Sequence, residues 1–263
     1  MPSITVLTPT FNPNLIYLKK MLASLKKQTF KDFDLLIVDE SSSVDLNFIK
    51  NLKLGFKVKI LKPRKKLGIG GSLAFGTCQI KSQFVARIDA DDIASDNRLK
   101  TQYDFLMGHP DISLVGSSVF KIDSFGKITG FRNYPISHND ILSQLNIWNP
   151  LCHPSLMIRT AFFKRYGNYA NLRNNEDYEL WLRASLQGAK FHNLKEKLTY
   201  YRIQSEDGLS SPRNWVSALN LKIKYFNFRY FFSSYIGILL TLLMIIVPSR
   251  LKRLIYNRYN KLR

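Results

Sequence analysis

Acidic side chains are scarce in this 263-residue sequence: 19 Asp and Glu stand against 39 Lys and Arg, a net charge of +20, and no acid follows Asp207. Such an imbalance implies an anionic partner, whether nucleic acid, anionic lipid or a phosphorylated substrate. Half of the excess sits in the last fifth of the chain, on Arg213, Lys222, Lys224, Arg229, Arg250, Lys252, Arg253, Arg258, Lys261 and Arg263. Cysteine is nearly missing as well. Cys78 and Cys152 show no CxxC spacing, so neither a disulfide framework nor a zinc site is expected. His109, His138 and His192 have no ligand spacing, and the lone His153 reads first as a packed or hydrogen-bonding residue. The start, Met1-Pro2-Ser3-Ile4-Thr5-Val6, has no basic n-region and runs straight into a strand pattern, so a signal peptide is not expected and the catalytic part should face the cytoplasm. No internal repeat or low-complexity linker is present.

What is present is a βα alternation. Strand patterns at 4–7, 33–38, 58–61, 84–88 and 112–120 are separated by helical spacing at 15–25, 68–80 and 98–107. This predicts an α/β fold with a mostly parallel sheet, helices on both faces and right-handed crossovers. The second half changes character: a hairpin over 120–134, helical pieces near 138–147, 160–166 and 176–187, and a short strand at 198–202. Gly208 to Pro212 marks the expected boundary between a catalytic domain, 1–211 (halves 1–119 and 120–211), and an aromatic, basic and apolar segment, 212–263.

The chemistry concentrates at Phe84-Val85-Ala86-Arg87-Ile88-Asp89-Ala90-Asp91-Asp92, where a strand delivers clustered carboxylates at its C-terminal end. Carboxylates that close repel, and a hard divalent cation, Mg²⁺ or Mn²⁺, removes the conflict. The same sheet edge is where open α/β proteins bind ligands. A solvated acidic turn is the plainer alternative. Asp39 closes the second strand, where a carboxylate can accept from a base or ribose. Gly68-Ile69-Gly70-Gly71 follows the third strand rather than the first and has Leu73 where a dinucleotide fingerprint needs glycine, so close backbone approach beside a nucleotide is preferred to a nicotinamide site. Glu176-Asp177 opens a helix, where the dipole favours acids; a general base there would stand across the site from the acidic cluster. Leu180, Trp181 and Ala184 can face a core.

The order Thr8-Pro9-Thr10-Phe11-Asn12, Gln28-Thr29-Phe30, Ile37-Val38-Asp39, Asp89-Ala90-Asp91-Asp92, His153-Pro154-Ser155, Glu176-Asp177 and Tyr201-Arg202 strongly resembles glycosyltransferase family 2. The resemblance covers roughly 3–205. It implies a GT-A fold, a nucleotide-sugar donor, a divalent metal and inversion at the anomeric carbon. On the donor side it implies Thr8, Pro9, Thr10, Asp39, Gly68, Asp89, Ala90 and Asp91, with Asp91 on the metal and Asp89 a second ligand or ribose partner. Asp177 would be the base, with Glu176, His153 and Trp181 on the acceptor side. Three positions depart from the family pattern: Glu40 for a second aspartate, Ser72-Leu73-Ala74-Phe75 without the usual arginine and asparagine, and Gln204 for histidine.

Tyr230 to Val247 is an apolar run without charge, at the lower limit for a span, preceded by an amphipathic pattern Trp215, Leu219, Ile223, Phe226, Tyr230. Cations on both sides favour a monotopic or re-entrant segment over a crossing, and a helix pair in a dimer is the alternative. The expected protein is a metal-dependent inverting glycosyltransferase on the cytoplasmic face of a bacterial inner membrane. It would move a sugar, UDP-linked by preference, to a polyprenyl-diphosphate-linked saccharide in O-antigen or capsule assembly. A catalytically silent relative acting as a binding partner, or a basic nucleic-acid-binding protein, is the rival; the second would need basic and aromatic residues interleaved on one surface.

Overall fold

The computed structural model describes residues 1–203 and 212–248. Gln204, Asp207, the expected boundary and the cations from Arg250 onward lie outside the described residues. Parallel strands β1 (Ile4–Thr10), β2 (Phe33–Asp39), β3 (Val58–Leu61) and β4 (Phe84–Arg87) form one half of a nine-stranded sheet, in the order β3-β2-β1-β4. The two faces follow from strand alternation. Ile4, Val6, Leu35, Ile37, Phe84 and Ala86 point to one core, and Leu7, Leu36, Val38 and Val85 to the other. Helix α1 (Leu15–Lys26) covers the first core with Leu18, Met21, Leu22 and Leu25; the Asn14 side chain caps it by accepting from the Ile16 amide at 2.9 Å. Helix α2 (Gly68–Thr77) lies on the second. It stops three residues short of the expected Ile80, where the Thr77 hydroxyl bonds back to the Leu73 and Ala74 carbonyls.

Past β4 the sheet becomes mixed. A two-residue strand β5 (Ile93–Ala94) and helix α3 (Arg98–Gly108) lead into β6 (Leu114–Ile122), which turns back as β7 (Ile128–Arg132) in the expected hairpin. Helix α4 (His138–Leu145) follows. A strand absent from the sequence expectations, β8 (Met157–Arg159), then slips antiparallel between β4 and β6. Three residues are too few to show a period. Helices α5 (Thr160–Tyr166) and α6 (Glu176–Leu186) cover the second core, and β9 (Phe191–Arg202) runs parallel to β6 and pairs β5. The expected short strand at 198–202 is the end of β9; the polar Lys195-Glu196-Lys197 and two register shifts against Ser117–Val119 hide its start. Helices α7 (Pro212–Lys224) and α8 (Phe231–Ile246) close the described chain.

Candidate active site

The C-terminal ends of β1, β2 and β4 form one edge, and the candidate residues gather there. Thr8, Pro9 and Thr10 pair in register with Ile37, Val38 and Asp39, so the β1 threonines and Asp39 are delivered together. Asp39 is buried; its Oδ1 accepts from the Ser41 amide at 2.9 Å, while its Oδ2 has no hydrogen-bond partner among the described residues and lies 3.7 Å from Lys62 Nζ. Thr8 Oγ1 is likewise buried without a partner among the described residues. Buried polar atoms are normally satisfied, so two orphans at one sheet edge mark a place that a polar ligand completes. Asn12, in the left-handed region at φ 45°, accepts from the Ser42 and Ser43 amides at 3.0 and 3.1 Å and locks the β1 and β2 loops together.

Glu40 gives its departure from the family pattern a structural purpose. Its Oε2 accepts from the Leu67 and Gly68 amides at 3.0 and 3.2 Å, and its Oε1 takes the Ser72 hydroxyl, so the carboxylate caps the start of α2. Two of the glycines there pack against the protein itself, while Gly68 has open space around it. Gly68 has φ +73°, whereas a Cβ on Gly70 would run into the Ala170 carbonyl and one on Gly71 would stand 2.8 Å from Leu67 Cβ. Close packing of α2 on the 170–172 backbone, not ligand approach, is what requires Gly70.

At the end of β4, carboxylate oxygens of Asp89, Asp91 and Asp92 lie within 4.8 Å of one another. Asp92 is buried; burial, then the Asp89 and Asp91 charges, push its carboxyl well above the usual range. Arg202 braces the group: its amide donates to Asp92 Oδ1 and its Nε to the Asp91 carbonyl, both at 2.8 Å, and its guanidinium lies 4.2 Å over the Tyr17 ring. Arg87, buried at the last position of β4, donates through Nη2 to Asp89 Oδ1 at 2.7 Å, while its Nε and Nη1 have no hydrogen-bond partner among the described residues. Three hard oxygen donors crowded against repulsion fit a divalent cation. Ala90 sits half-buried between two of these donors.

The second carboxylate pair lies at the start of α6, entered through Asn175 at φ 60°. Burial and the neighbouring Asp177 raise Glu176 to about 8. Burial raises Asp177 too, but the Tyr178 amide and the Asn149 side-chain amide, 2.8 Å from Oδ2, oppose the shift. Of the two, Asp177 is the one whose hydrogen bonds favour the charged form, and Glu176 the one that holds its proton. His153, in a 3-10 turn before β8, stands 4.0 Å from Glu176 Oε1, with Nε2 at 2.9 Å from the Tyr169 hydroxyl. Burial, then the Arg87 charge, lower its pKa well below the ordinary value, so the ring is neutral. Trp181 departs from its expected acceptor-side place. It is wholly buried, edge-on to His153 at 6.0 Å and packed on Phe162 and Phe191, so it supports His153 from the core.

Sequence reasoning missed Arg87, Asn149, Tyr169 and the bracing role of Arg202. A cation inside the apolar Phe84–Ile88 run was the one available signal; the others depend on chain segments meeting in three dimensions.

Residues 5–167 match glycosyl transferase family 2. The amylovoran biosynthesis glycosyltransferase AmsE of Erwinia amylovora is 31% identical over 200 residues, 75% of this chain and 74% of that protein. An Escherichia coli UDP-Gal:α-D-GlcNAc-diphosphoundecaprenol β-1,3-galactosyltransferase is 26% identical over 249 residues, 92% and 90% of the two chains. Among solved structures, S. aureus TarS 1–349 with UDP-GlcNAc superposes with a TM-score of 0.66 at 20% identity, over 84% of this chain and 66% of that one. In another, longer TarS structure the match spans 84% of this chain and only 39% of that chain. The mannosyltransferase PcManGT of Pyrobaculum calidifontis, in complex with GDP-Man and Mn²⁺, superposes with a TM-score of 0.66 at 13% identity, over 95% and 72% of the two chains. The GT-A architecture is shared with these structures, and with well over half of its length matched, the chain belongs to glycosyl transferase family 2.

Proposed function

We propose that this glycosyltransferase is metal-dependent and inverting, and that it moves a sugar from a UDP-sugar to a hydroxyl of a polyprenyl-diphosphate-linked saccharide. The work would be assembly of a bacterial surface polysaccharide at the cytoplasmic face of the inner membrane. The observation that carries the reading is that two acidic groups, Asp89-Asp91-Asp92 and Glu176-Asp177, both lie within electrostatic reach of the buried Arg87, which bonds Asp89 directly. The names of AmsE and of the lipid-linked galactosyltransferase support the acceptor class, and the Mn²⁺ of PcManGT supports the metal.

Thr8, Thr10 and Asp39 would take the base and ribose, with Pro9, Gly68 and Ala90 as backbone lining. Asp91 and Asp89 would hold Mn²⁺ or Mg²⁺, which when bound supplies charge neutralisation for the departing diphosphate. Asp92, committed to Arg202, would hold the loop in shape. Asp177 accepts the proton of the acceptor hydroxyl as its oxygen bonds the anomeric carbon and the bond to the diphosphate breaks on the opposite face. UDP leaves, and the proton ends on Asp177. Protonated Glu176 adds no second negative charge beside it, and neutral His153 can accept from or donate to an acceptor hydroxyl. Residues 1–211 would make up the catalytic domain and 212–263 its membrane attachment, with α7 packed back onto the catalytic domain through Leu221 and the adjoining Tyr225.

A screen of nucleotide sugars against a polyprenyl-diphosphate-GlcNAc acceptor tests this. One UDP-sugar should give a product of inverted configuration only with Mn²⁺ or Mg²⁺. Full activity in EDTA, or a retained configuration, would discard the mechanism.

A further inference from the structure

Helix α8 is amphipathic in the reverse sense. Its buried stripe is Ser234, Gly237 and Thr241, small or polar residues, whereas the opposite side exposes Phe232, Tyr235, Leu239, Leu243 and Ile246, with Phe232 79% and Ile246 81% exposed. Phe228 to Ile246 is long and apolar enough to cross a membrane by composition, yet only 17% of it is buried. A soluble protein places its apolar stripe inward. One that faces lipid can do the opposite.

The inward stripe does not hang free. A Cβ on Gly237 would strike the Asn146 carbonyl, so the middle of α8 rests directly on the loop after α4. Lys222 of α7 is buried between them, its ammonium donating to the Ile147 carbonyl at 2.7 Å, the Gly237 carbonyl at 3.2 Å and the Thr241 hydroxyl at 2.6 Å. Its partners are neutral oxygens of the loop and of α8, so one cation ties the two together. Two residues beyond Ile147, Asn149 holds Asp177 Oδ2 at 2.8 Å. Tyr225 and Asn175 add further ties, to Glu179 at 2.5 Å and to the Asn214 carbonyl at 3.2 Å.

These contacts decide the orientation of α8. The 19 residues from Phe228 to Ile246 reach about 28 Å, close to a hydrocarbon core of about 30 Å, so length alone does not choose between crossing and lying flat. Were it to cross, the Asn146–Asn149 loop touching its midpoint would be dragged into hydrocarbon, where polar backbone is strongly disfavoured. Lying flat, it sinks its outer face into one leaflet and leaves the loop at the surface, with exposed Lys224 and Arg229 just before its start to meet anionic headgroups. We infer that α8 is an in-plane foot on an anionic bilayer, and that Lys222 is a positioning residue tying this foot to the loop that holds the acceptor base. The second clause rests on the function proposed above; the first does not.

Depth measurement separates the two. The full chain carrying Cys78→Ser and a single labelled cysteine at Phe232, Leu239 or Ile246 is bound to phosphatidylglycerol-containing vesicles with lipids brominated at shallow or deep acyl positions. All three labels should be quenched alike, from the shallow positions. Deep quenching confined to Leu239, or no vesicle binding, overturns the foot. No donor or acceptor enters, so failure of the nucleotide-sugar screen leaves this outcome standing. Lys222→Met should then keep vesicle binding and UDP affinity in Mn²⁺ while kcat on the lipid-linked acceptor falls about tenfold to a hundredfold, the scale of an ångström-level misplacement. Thr241→Val, which removes one of three acceptors and folds more safely, should give a smaller fall in the same direction. Unchanged kcat in both variants overturns the tie.

Discussion

In the proposed mechanism Asp91 and Asp177 divide the chemistry between two charges of the same sign, and each can be removed alone. Asp91→Ala should abolish transfer and weaken Mn²⁺-dependent UDP binding by calorimetry, with the circular dichroism spectrum unchanged because Asp92, not Asp91, offers its carboxylate to the Arg202 amide. Asp177→Asn should lower kcat by about 10²–10⁴-fold with UDP binding retained, the usual weight of general base catalysis. If Glu176→Gln were dead and Asp177→Asn active, the base would be one residue earlier. Glu176 has its own signature in stability. Burial and Asp177 raise its pKa from 4.5 to about 8, so the native state keeps a proton that the unfolded chain has lost between those values. The stability this contributes is complete below about pH 4.5 and drains away as pH rises towards about 8. Glu176→Gln should therefore flatten the fall in thermal midpoint between about pH 5 and about pH 8, measured by scanning fluorimetry; an unchanged slope would place the titration elsewhere.

At the scale of elements, the site is assembled by helix α2 seating on the loop before α6. Gly70 packs so closely that a methyl would meet the Ala170 carbonyl and approach Glu176 Cβ at 3.2 Å. Gly70→Ala should cost about 1–3 kcal/mol in denaturant unfolding through overpacking, despite the better helix propensity of alanine. It should also shift the Glu176 titration, since the backbone pushed aside leads into α6. This contact illustrates what one chain of letters can and cannot disclose. The β1, β2 and β4 strands and their terminal acids were legible because a buried parallel strand is a short apolar run and the sheet edge is where such folds bind. Strands β5 and β8 were not, because two or three residues carry no period and their pairing is decided by β4, β6 and β9. The Gly68–Gly71 run was visible as a close approach, but not the partner it approaches. Asp89, Asp91 and Asp177 could be singled out from local sequence; Arg87, Asn149 and Tyr169 required the fold, and the burial of Trp181 beneath His153 could not be told from its place in the α6 sequence.

For the whole molecule, charge and apolarity point to the same surface. Composition alone recommends cutting the chain near Pro212 to obtain a soluble catalytic part. The packing argues otherwise, since Leu221 belongs to the second core and Tyr225 bonds Glu179 on α6. A chain ending near Pro212 should lose stability and expose that core, whereas one ending after Asn227 keeps both contacts and sheds the exposed apolar helix. The shorter chain should show the lower thermal midpoint, and the longer one should purify without detergent. Attachment itself should divide into two separable forces. Burial of the outer face of α8 acts on any bilayer, while cations act on anionic ones, at roughly 1 kcal/mol each near the surface. Replacing Arg250, Lys252 and Arg253 with glutamine should therefore reduce affinity for phosphatidylglycerol-rich vesicles by about a hundredfold and leave binding to neutral phosphatidylcholine vesicles almost unchanged. Raising salt should bring the wild type towards the variant on anionic vesicles, because screening acts on charge and not on burial. Equal losses on both vesicle types would mean that these cations fold the tail rather than contact the lipid.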